Sequence, residues 1–156
     1  MSMASMQQAV PPTRMTDGEL YDLAMRFFDA YQDHRIEEVA DVISEDFVVW
    51  LAPFQKEMGR EEWLAATPEG WTRQRSRTYN DRNIDVFDSG WVARYTLNIT
   101  EHSGRKSALQ VCIVAQCRGG KITRMDEYID PSKSPAWEER KKREAAEAAA
   151  AAKPGG

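Results

Sequence analysis

The carboxylate best suited by sequence to move protons belongs to Glu127, within the segment GGKITRMDEYIDP at residues 119–131. The Gly-Gly pair predicts a tight turn, and alternation from Ile122 to Ile129 predicts a strand that the following Asp-Pro ends. Alternation puts Glu127 on one face with three uncharged neighbours, Thr123, Met125 and Ile129. If that face is covered, desolvation raises the carboxyl pKa, and Glu127 becomes a candidate general acid or base. The alternative is a glutamate at a strand end that reaches water or a basic partner.

Two side chains on the strand after the Asp-Ser-Gly turn are candidates to hold a substrate oxygen. Arg94 could bind an anionic oxygen or lower the pKa of a nearby carboxylate, and Asn98 could donate to a developing oxyanion. Thr96, on the same face, is a candidate substrate contact. Parity does not decide which face of this strand is concave. A lining made by Tyr95 and Leu97 is therefore an equal alternative, and Arg94 would then lie on the solvated outer face.

Aromatic and apolar side chains elsewhere are candidates for substrate contacts. Tyr79, in a long polar strand, is a candidate phenol donor or a tyrosine at the pocket rim. Trp50 could stack on a ligand ring or pack in the core. Phe27, in an amphipathic helix, and Met125 are expected to line the pocket. His102 lies in a predicted turn and is a candidate general base at the pocket mouth or a plain surface residue.

The sequence lacks the residue patterns that several classes of chemistry need. The two histidines, His34 and His102, lie far apart in the sequence and form no HxH pattern, so no metal centre is predicted. The sequence contains no glycine loop for phosphates, no dinucleotide fingerprint and no Ser-His-Asp arrangement. We therefore expect chemistry without a cofactor, by proton transfer in a dry pocket.

Composition and charge narrow the classes of partner and location. A net charge of −4, without a basic patch interleaved with aromatics, argues against binding of nucleic acid. No apolar run reaches the length of a signal peptide core or a membrane span, so no membrane association is expected. Cys112 and Cys117 lie in one predicted strand on opposite faces, which predicts reduced thiols in a cytoplasmic protein.

The chain is predicted to form one domain with two tails. Residues 1–15 are polar and are predicted to be disordered. Residues 16–131 form the domain. Residues 132–156 form an alanine- and charge-rich helical tail, which starts at Ser134-Pro135 and is expected to be solvated. A helix that binds a partner is the alternative for this tail.

Within the domain, helices precede strands. A capping box, Thr16 to Glu19, opens the first amphipathic helix. The predicted helices cover Asp17–Asp33, Ile36–Ile43 and Gly59–Ala66, followed by a turn at Thr67–Gly70. The predicted strands cover Phe47–Leu51, Arg75–Phe87, Trp91–Thr100, Leu109–Cys117 and Ile122–Ile129. This order predicts an α+β fold with helices on one face of a curved, antiparallel or mixed sheet.

The region from Thr16 to Pro131 resembles the nuclear transport factor 2-like superfamily. The resemblance lies in two amphipathic helices, an apolar strand that ends in proline, and a meander that closes with GKITRMDEYIDP. Within the superfamily it is most similar to the SnoaL-like polyketide cyclases and limonene epoxide hydrolase. The resemblance implies a cone, in which a bent sheet wraps the first helix around a deep pocket, and it implies a homodimer.

The resemblance also implies roles for single residues. Glu127 matches the position at which the cyclases and the epoxide hydrolase carry an acid–base carboxylate. Thr96 and Asn98 stand where the epoxide hydrolase has an arginine and an aspartate, which argues against epoxide hydrolysis. Phe27 and Ala52 stand where the ketosteroid isomerases have a tyrosine and an aspartate, which argues against that isomerisation.

Two functions remain as hypotheses from the sequence. The first is a cofactor-independent lyase, dehydratase or cyclase-type isomerase acting on an aromatic or polycyclic molecule with hydroxyl or carbonyl groups. Glu127 would carry the proton, and Asn98, Tyr79 or Arg94 would hold the oxygen. The second is a non-catalytic module of the same fold that binds a small molecule or another subunit.

Overall fold

The computed structural model describes residues 14–130, 132 and 135–153. The helices are α1 Asp17–Gln32, α2 Ile36–Val42, α3 Arg60–Thr72 and α4 Pro135–Ala151. The strands are β1 Ile43–Leu51, β2 Lys56–Gly59, β3 Ser76–Phe87, β4 Gly90–Thr100, β5 Lys106–Arg118 and β6 Lys121–Ile129. A short 3-10 turn, Ala52–Phe54, joins β1 to β2. The predicted α+β class is confirmed.

The six strands form one mixed sheet in the order β2-β1-β6-β5-β4-β3. All neighbouring strands are antiparallel except β1 and β6, which run parallel. Helix α1 lies on one face of this sheet and buries a broad apolar stripe against it, namely Leu20, Leu23, Ala24, Phe27, Phe28 and Ala30. Its start is capped as predicted, since the Thr16 hydroxyl accepts a hydrogen bond from the Glu19 backbone N–H at 3.1 Å.

Strand β4 shows which face of the sheet is covered. The side chains of Trp91, Ala93, Tyr95, Leu97 and Ile99 are buried against α1 and the rest of the core. The residues between them therefore point to the outer face, because side chains alternate along a strand. The concave face of β4 is therefore the apolar one, which carries Tyr95 and Leu97.

Helix α3 is longer than the sequence pattern predicts. The expected turn at Thr67–Gly70 is wrong, because the helix continues through Pro68 to Thr72. Proline removes one backbone hydrogen bond from the helix. However, Trp63, Thr67 and Trp71 recur every four residues and are all buried, so continuing the helix buries its second tryptophan. The Thr67 hydroxyl also donates to the Trp63 carbonyl at 2.8 Å.

A bulge in β6 alters the predicted faces at its start. Cys117 pairs with Ile122, but the next residue back on β5, Gln116, pairs with Arg124, so β6 carries one extra residue. As a result Ile122 is buried on the same face as Met125, whereas strict alternation assigned it to the opposite face. The assignment of Glu127 to the Met125 face is unaffected, because it lies beyond the bulge.

The two predicted tails are described only in part. Residues 1–13 of the N-terminal tail lie outside the described residues, whereas Met15 packs against the core. Pro131 and Ser134, which the sequence predicts to end β6 and open the last helix, also lie outside them. Helix α4 is mostly exposed from Glu138 onward, and the Arg140 guanidinium lies 4.9 Å from the centre of the Phe54 ring. No helix in the described residues is long and apolar enough to cross a membrane.

Candidate active site

A small cavity lies between α1, α3 and the concave face of the sheet. Its lining is mostly aromatic and carries two charged side chains: Phe27, Phe28, Tyr31, Trp63, Arg77, Tyr79, Tyr95, Ile113, Met125 and Glu127. Its volume is about 30 Å³, which is room for about two water molecules. Drug-sized ligands occupy pockets of roughly 300–1,000 Å³. A substrate with a ring system therefore enters only if part of this wall moves.

Glu127 contributes the carboxylate of the cavity. It lies on β6 opposite Ile113 of β5 and is partly buried. Burial raises its pKa above the ordinary value of 4.5, and the positive charge of Arg77 opposes that rise. No hydrogen bond among the described residues involves its side chain, so its oxygens remain available to a molecule in the cavity.

Tyr79 supplies a hydroxyl that has no partner within the described protein. The residue is 5% exposed, and its hydroxyl oxygen is buried without a hydrogen bond. Burial raises its pKa, so the phenol stays protonated and can donate. An unsatisfied buried hydroxyl is costly, and water or a ligand in the cavity would relieve that cost.

The backbone of Tyr79 is held in place from α1. Its N–H donates to the Gln32 side-chain oxygen at 3.0 Å, and its carbonyl accepts from Arg82 Nε at 2.9 Å. Arg82 in turn forms an ion pair with Asp29 at 2.8 Å. Because β3 is an edge strand, these contacts satisfy backbone groups that no neighbouring strand reaches. They also fix the position of the Tyr79 ring.

Two polar residues of the cavity, Tyr31 and Arg77, were not predicted from the sequence. Tyr31 follows Phe27 by one turn of α1, and burial raises its pKa as it does that of Tyr95. Arg77 lies two residues before Tyr79 on β3 and therefore on the same face. Helical spacing from Phe27 could have predicted Tyr31. Alternation from Tyr79 could have predicted Arg77.

Trp63 closes the cavity from the side of α3. Its ring centre lies 5.9 Å from that of Tyr31 and 6.4 Å from that of Phe27. The end of α3 is held by a stack of Trp71 on His34, with ring centres 4.5 Å apart. His102 Nε2 lies 2.9 Å from the Thr72 carbonyl oxygen, to which it can only donate.

The structure brings together only some of the residues proposed from the sequence. Glu127, Tyr79, Phe27 and Met125 line one cavity. Arg94, Asn98, Thr96, Trp50 and His102 do not.

The expectation that Arg94 or Asn98 holds an oxygen beside Glu127 is corrected. The apolar residues of β4 occupy the concave face, so these side chains and Thr96 point outward. The Arg94 side chain is 63% exposed and lies 3.9 Å from Asp85. Thr96 accepts a hydrogen bond from Gln110 at 3.1 Å.

Trp50 and His102 are corrected for similar reasons. Trp50 is adjacent to Asp126 of β6 and Glu57 of β2 on the outer face of the sheet. His102 is occupied by its hydrogen bond to α3 and does not line the cavity. Among the described residues no three histidine, cysteine or acidic side chains cluster closely enough to hold a metal ion.

Several solved structures share this fold at low sequence identity. A candidate polyketide cyclase from Streptomyces antibioticus matches with a TM-score of 0.68 and 16% identity, over 76% of this chain and 97% of that chain. An epoxide hydrolase from M. tuberculosis, similar to limonene epoxide hydrolase, matches with a TM-score of 0.66 and 17% identity. The match covers 79% of this chain and 91% of that chain. A candidate polyketide cyclase from Xanthomonas campestris matches with a TM-score of 0.69 and 15% identity, over 77% and 96%.

These likenesses confirm the nuclear transport factor 2-like fold, with its curved sheet around a first helix. No curated protein matches the sequence. The family model of the SnoaL-like domain matches residues 24–125, from the middle of α1 to Met125 on β6. It spans most of the chain and ends two residues before Glu127. The chain therefore belongs to the SnoaL-like domain family.

Proposed function

We propose that this protein is a cofactor-independent enzyme that moves a proton on a small molecule with a carbonyl or hydroxyl group. Glu127 is its acid–base and Tyr79 its hydrogen-bond donor. One observation carries this proposal: a carboxylate and a phenol face the same enclosed cavity, and neither has a hydrogen-bond partner among the described residues. The names of the structural neighbours, cyclases and an epoxide hydrolase among them, agree with an enzyme of this general kind.

The proposed reaction uses the two groups together. The Tyr79 hydroxyl donates to the substrate carbonyl oxygen, and ionised Glu127 removes a proton from the neighbouring carbon. Negative charge then develops on the oxygen, where the phenol stabilises it in a site with little water. Protonated Glu127 next returns its proton to another carbon, which completes an isomerisation, or to a departing hydroxyl, which leaves as water.

The substrate is proposed to be aromatic or polycyclic, because rings form most of the cavity wall. The cavity of about 30 Å³ is too small for such a molecule as it stands. Trp63 is the wall residue contributed by α3, so we propose that substrate enters as this helix and its tryptophan move away from Tyr31.

The titration of Glu127 tests the acid–base assignment. NMR of isotope-labelled glutamate is expected to give a midpoint above the ordinary value of 4.5, because burial disfavours the charged form more than Arg77 restores it. The neutral phenols of Tyr31, Tyr79 and Tyr95 are the other titratable groups of the cavity.

Stability should follow the same titration. Because the folded state holds this proton more tightly than the unfolded chain, the contribution of Glu127 to the free energy of unfolding is largest below the ordinary glutamate pKa. It falls as pH rises towards the folded value. Glu127→Gln should remove this component of the pH dependence. A Glu127 midpoint at or below the ordinary value would contradict the proposal.

A binding module without catalysis is the second candidate. Two observations favour it: the cavity is small, and the sequence has neither the charged relay of the epoxide hydrolase nor the tyrosine and aspartate of the ketosteroid isomerases. Such a module would bind a ligand in this cavity without exchanging protons between ligand and solvent. Deuterium incorporation from heavy water into a bound carbonyl compound distinguishes the two candidates.

We also propose that the protein is a cytoplasmic homodimer that pairs through the outer face of the sheet. Cys112 and Cys117 are both unpaired, as expected in a reducing compartment. The outer face carries partly exposed apolar residues, including Val92 opposite Val114, and Tyr128 is 49% exposed. Light scattering of the wild type should give twice the mass of one chain. Val114→Lys should lower the measured mass towards that of one chain. A wild-type mass equal to one chain would contradict the dimer.

A further inference from the structure

Arg77 is a partly buried cation that forms no hydrogen bond and no ion pair in the described protein, although the charge of Glu127 in the same cavity acts on it. The other partly buried arginines of β3, β6 and the start of α3 are paired, since Arg82 contacts Asp29 at 2.8 Å, Arg124 contacts Asp126 at 2.9 Å, and Arg60 contacts Glu61 at 2.9 Å. The Arg77 side chain forms no hydrogen bond and no ion pair with any described residue, and its Nε is buried without a partner. A guanidinium removed from water without a partner is costly.

The surroundings of Arg77 contain a single opposite charge, that of Glu127. Helices α1 and α3 contribute only neutral side chains to the cavity, and so do β4 and β5. Glu127 is the single acid in the lining, and burial raises its pKa. Among the described residues no ion pair joins Glu127 to Arg77, so the guanidinium donors stay open to an anionic ligand in a setting of low polarity.

The volume of the free space fits a small anionic group. The cavity has room for about two water molecules, which is close to the size of one carboxylate group. Guanidinium and carboxylate match in geometry and form paired, charge-assisted hydrogen bonds. The Arg77 guanidinium also lies 6.0 Å from the centre of the Tyr79 ring, and both residues line the same cavity.

We propose that Arg77 binds a carboxylate group of the substrate, so that the site accepts molecules that carry a carboxylate and discriminates against their neutral analogues. This inference rests on the proposed function in one respect, that the same cavity is the reaction site. Arg77 anchors the acid group, Tyr79 remains free for the carbonyl oxygen, and Glu127 acts on the carbon between or beside them. Substrate specificity is then set by a residue distinct from the acid–base.

Acetate and acetamide are the probes that test this assignment. They share shape and size and differ in charge, and both are small enough to need little movement of Trp63. We expect acetate to shift the NMR signals of Arg77 Nε–H and the Trp63 indole, and to bind at least tenfold more tightly than acetamide. Equal binding of the two probes, or no shift at Arg77, would overturn the proposal.

Variants assign the effect to Arg77. Arg77→Gln should lose at least tenfold in acetate affinity and should no longer distinguish acetate from acetamide. Arg94→Gln makes the same change on the outer face and should behave as wild type. Glu127→Gln should keep acetate binding, because it leaves the anion site intact. Unchanged acetate affinity in a folded Arg77→Gln protein would overturn the proposal, and the wild-type comparison decides it if that variant does not fold.

The outcome is separable from that of the acid–base proposal. Failure of acetate to bind at Arg77, together with a raised Glu127 midpoint, would remove the carboxylate class of substrate and leave the proton transfer. Selective acetate binding with an ordinary Glu127 midpoint would leave an anion-binding cavity and remove the acid–base.

Discussion

Glu127→Gln is expected to slow proton exchange into a bound carbonyl compound by roughly a hundred- to ten-thousand-fold, the usual loss when a general acid–base is removed. Glutamine keeps the size and hydrogen-bonding shape of the side chain but cannot accept or release the proton. The measurement is deuterium incorporation from heavy water into small ketones and keto acids, followed by NMR. It needs no knowledge of the natural substrate, because exchange at the carbon beside a carbonyl is the first step of the proposed reaction.

Glu69→Gln is the matched control for this experiment. Its side chain is 74% exposed on α3 and lies outside the cavity, so exchange should stay at the wild-type rate. Binding of the probe to Glu127→Gln should persist, which separates loss of chemistry from loss of the site. Exchange by the variant at the wild-type rate would remove Glu127 from the mechanism. Binding by the wild type with no exchange of any probe would favour the non-catalytic module.

Gly90→Ala is expected to destabilise the fold by about 3 kcal/mol or more. Gly90 begins β4 and lies against β5. A Cβ atom there would lie 1.8 Å from the Ala115 carbonyl oxygen and 2.9 Å from its carbonyl carbon. Both are backbone atoms in the middle of the sheet, so they can give way only if β4 separates from β5. Urea unfolding followed by tryptophan fluorescence gives the free energy of unfolding directly.

Gly70→Ala makes the same chemical change where there is space. No atom lies within 4 Å of a Cβ built at Gly70, and the residue is in α3. Alanine is a better helix former than glycine, so this variant should be more stable than wild type by about 0.5–1 kcal/mol. A Gly90→Ala protein as stable as wild type would contradict the close packing of β4 on β5. Loss of stability in Gly70→Ala would show that α3 has a different structure here.

Much of the architecture was predictable from short-range pattern alone. The Thr16–Glu19 capping box and the apolar spacing after it predict α1, whose observed end at Gln32 is one residue from the predicted one. Alternation predicts β4 and the two sets of residues on its faces. Alternation also predicts that Glu127 and Met125 lie on the same face of β6, because both residues lie beyond the bulge.

Tertiary structure decided which of these patterns matter for the candidate site. Alternation divides the residues of β4 into two faces, but only the packing of α1 against Tyr95 and its neighbours identifies the concave one, which placed Arg94 and Asn98 outside. Likewise, Pro68 predicts a break, yet α3 continues to Thr72 and buries Trp71.

By itself the sequence determined the helices, the strands, their periodic faces and the acid most suited to proton transfer, because these depend on neighbours a few residues away. The parallel pairing of β1 with β6, the small volume of the cavity and the meeting of Arg77, Tyr79 and Glu127 depend on residues far apart in the chain. Local propensity carries no information about such contacts. They are set by the curvature of the whole sheet and by the apolar area that it buries against α1.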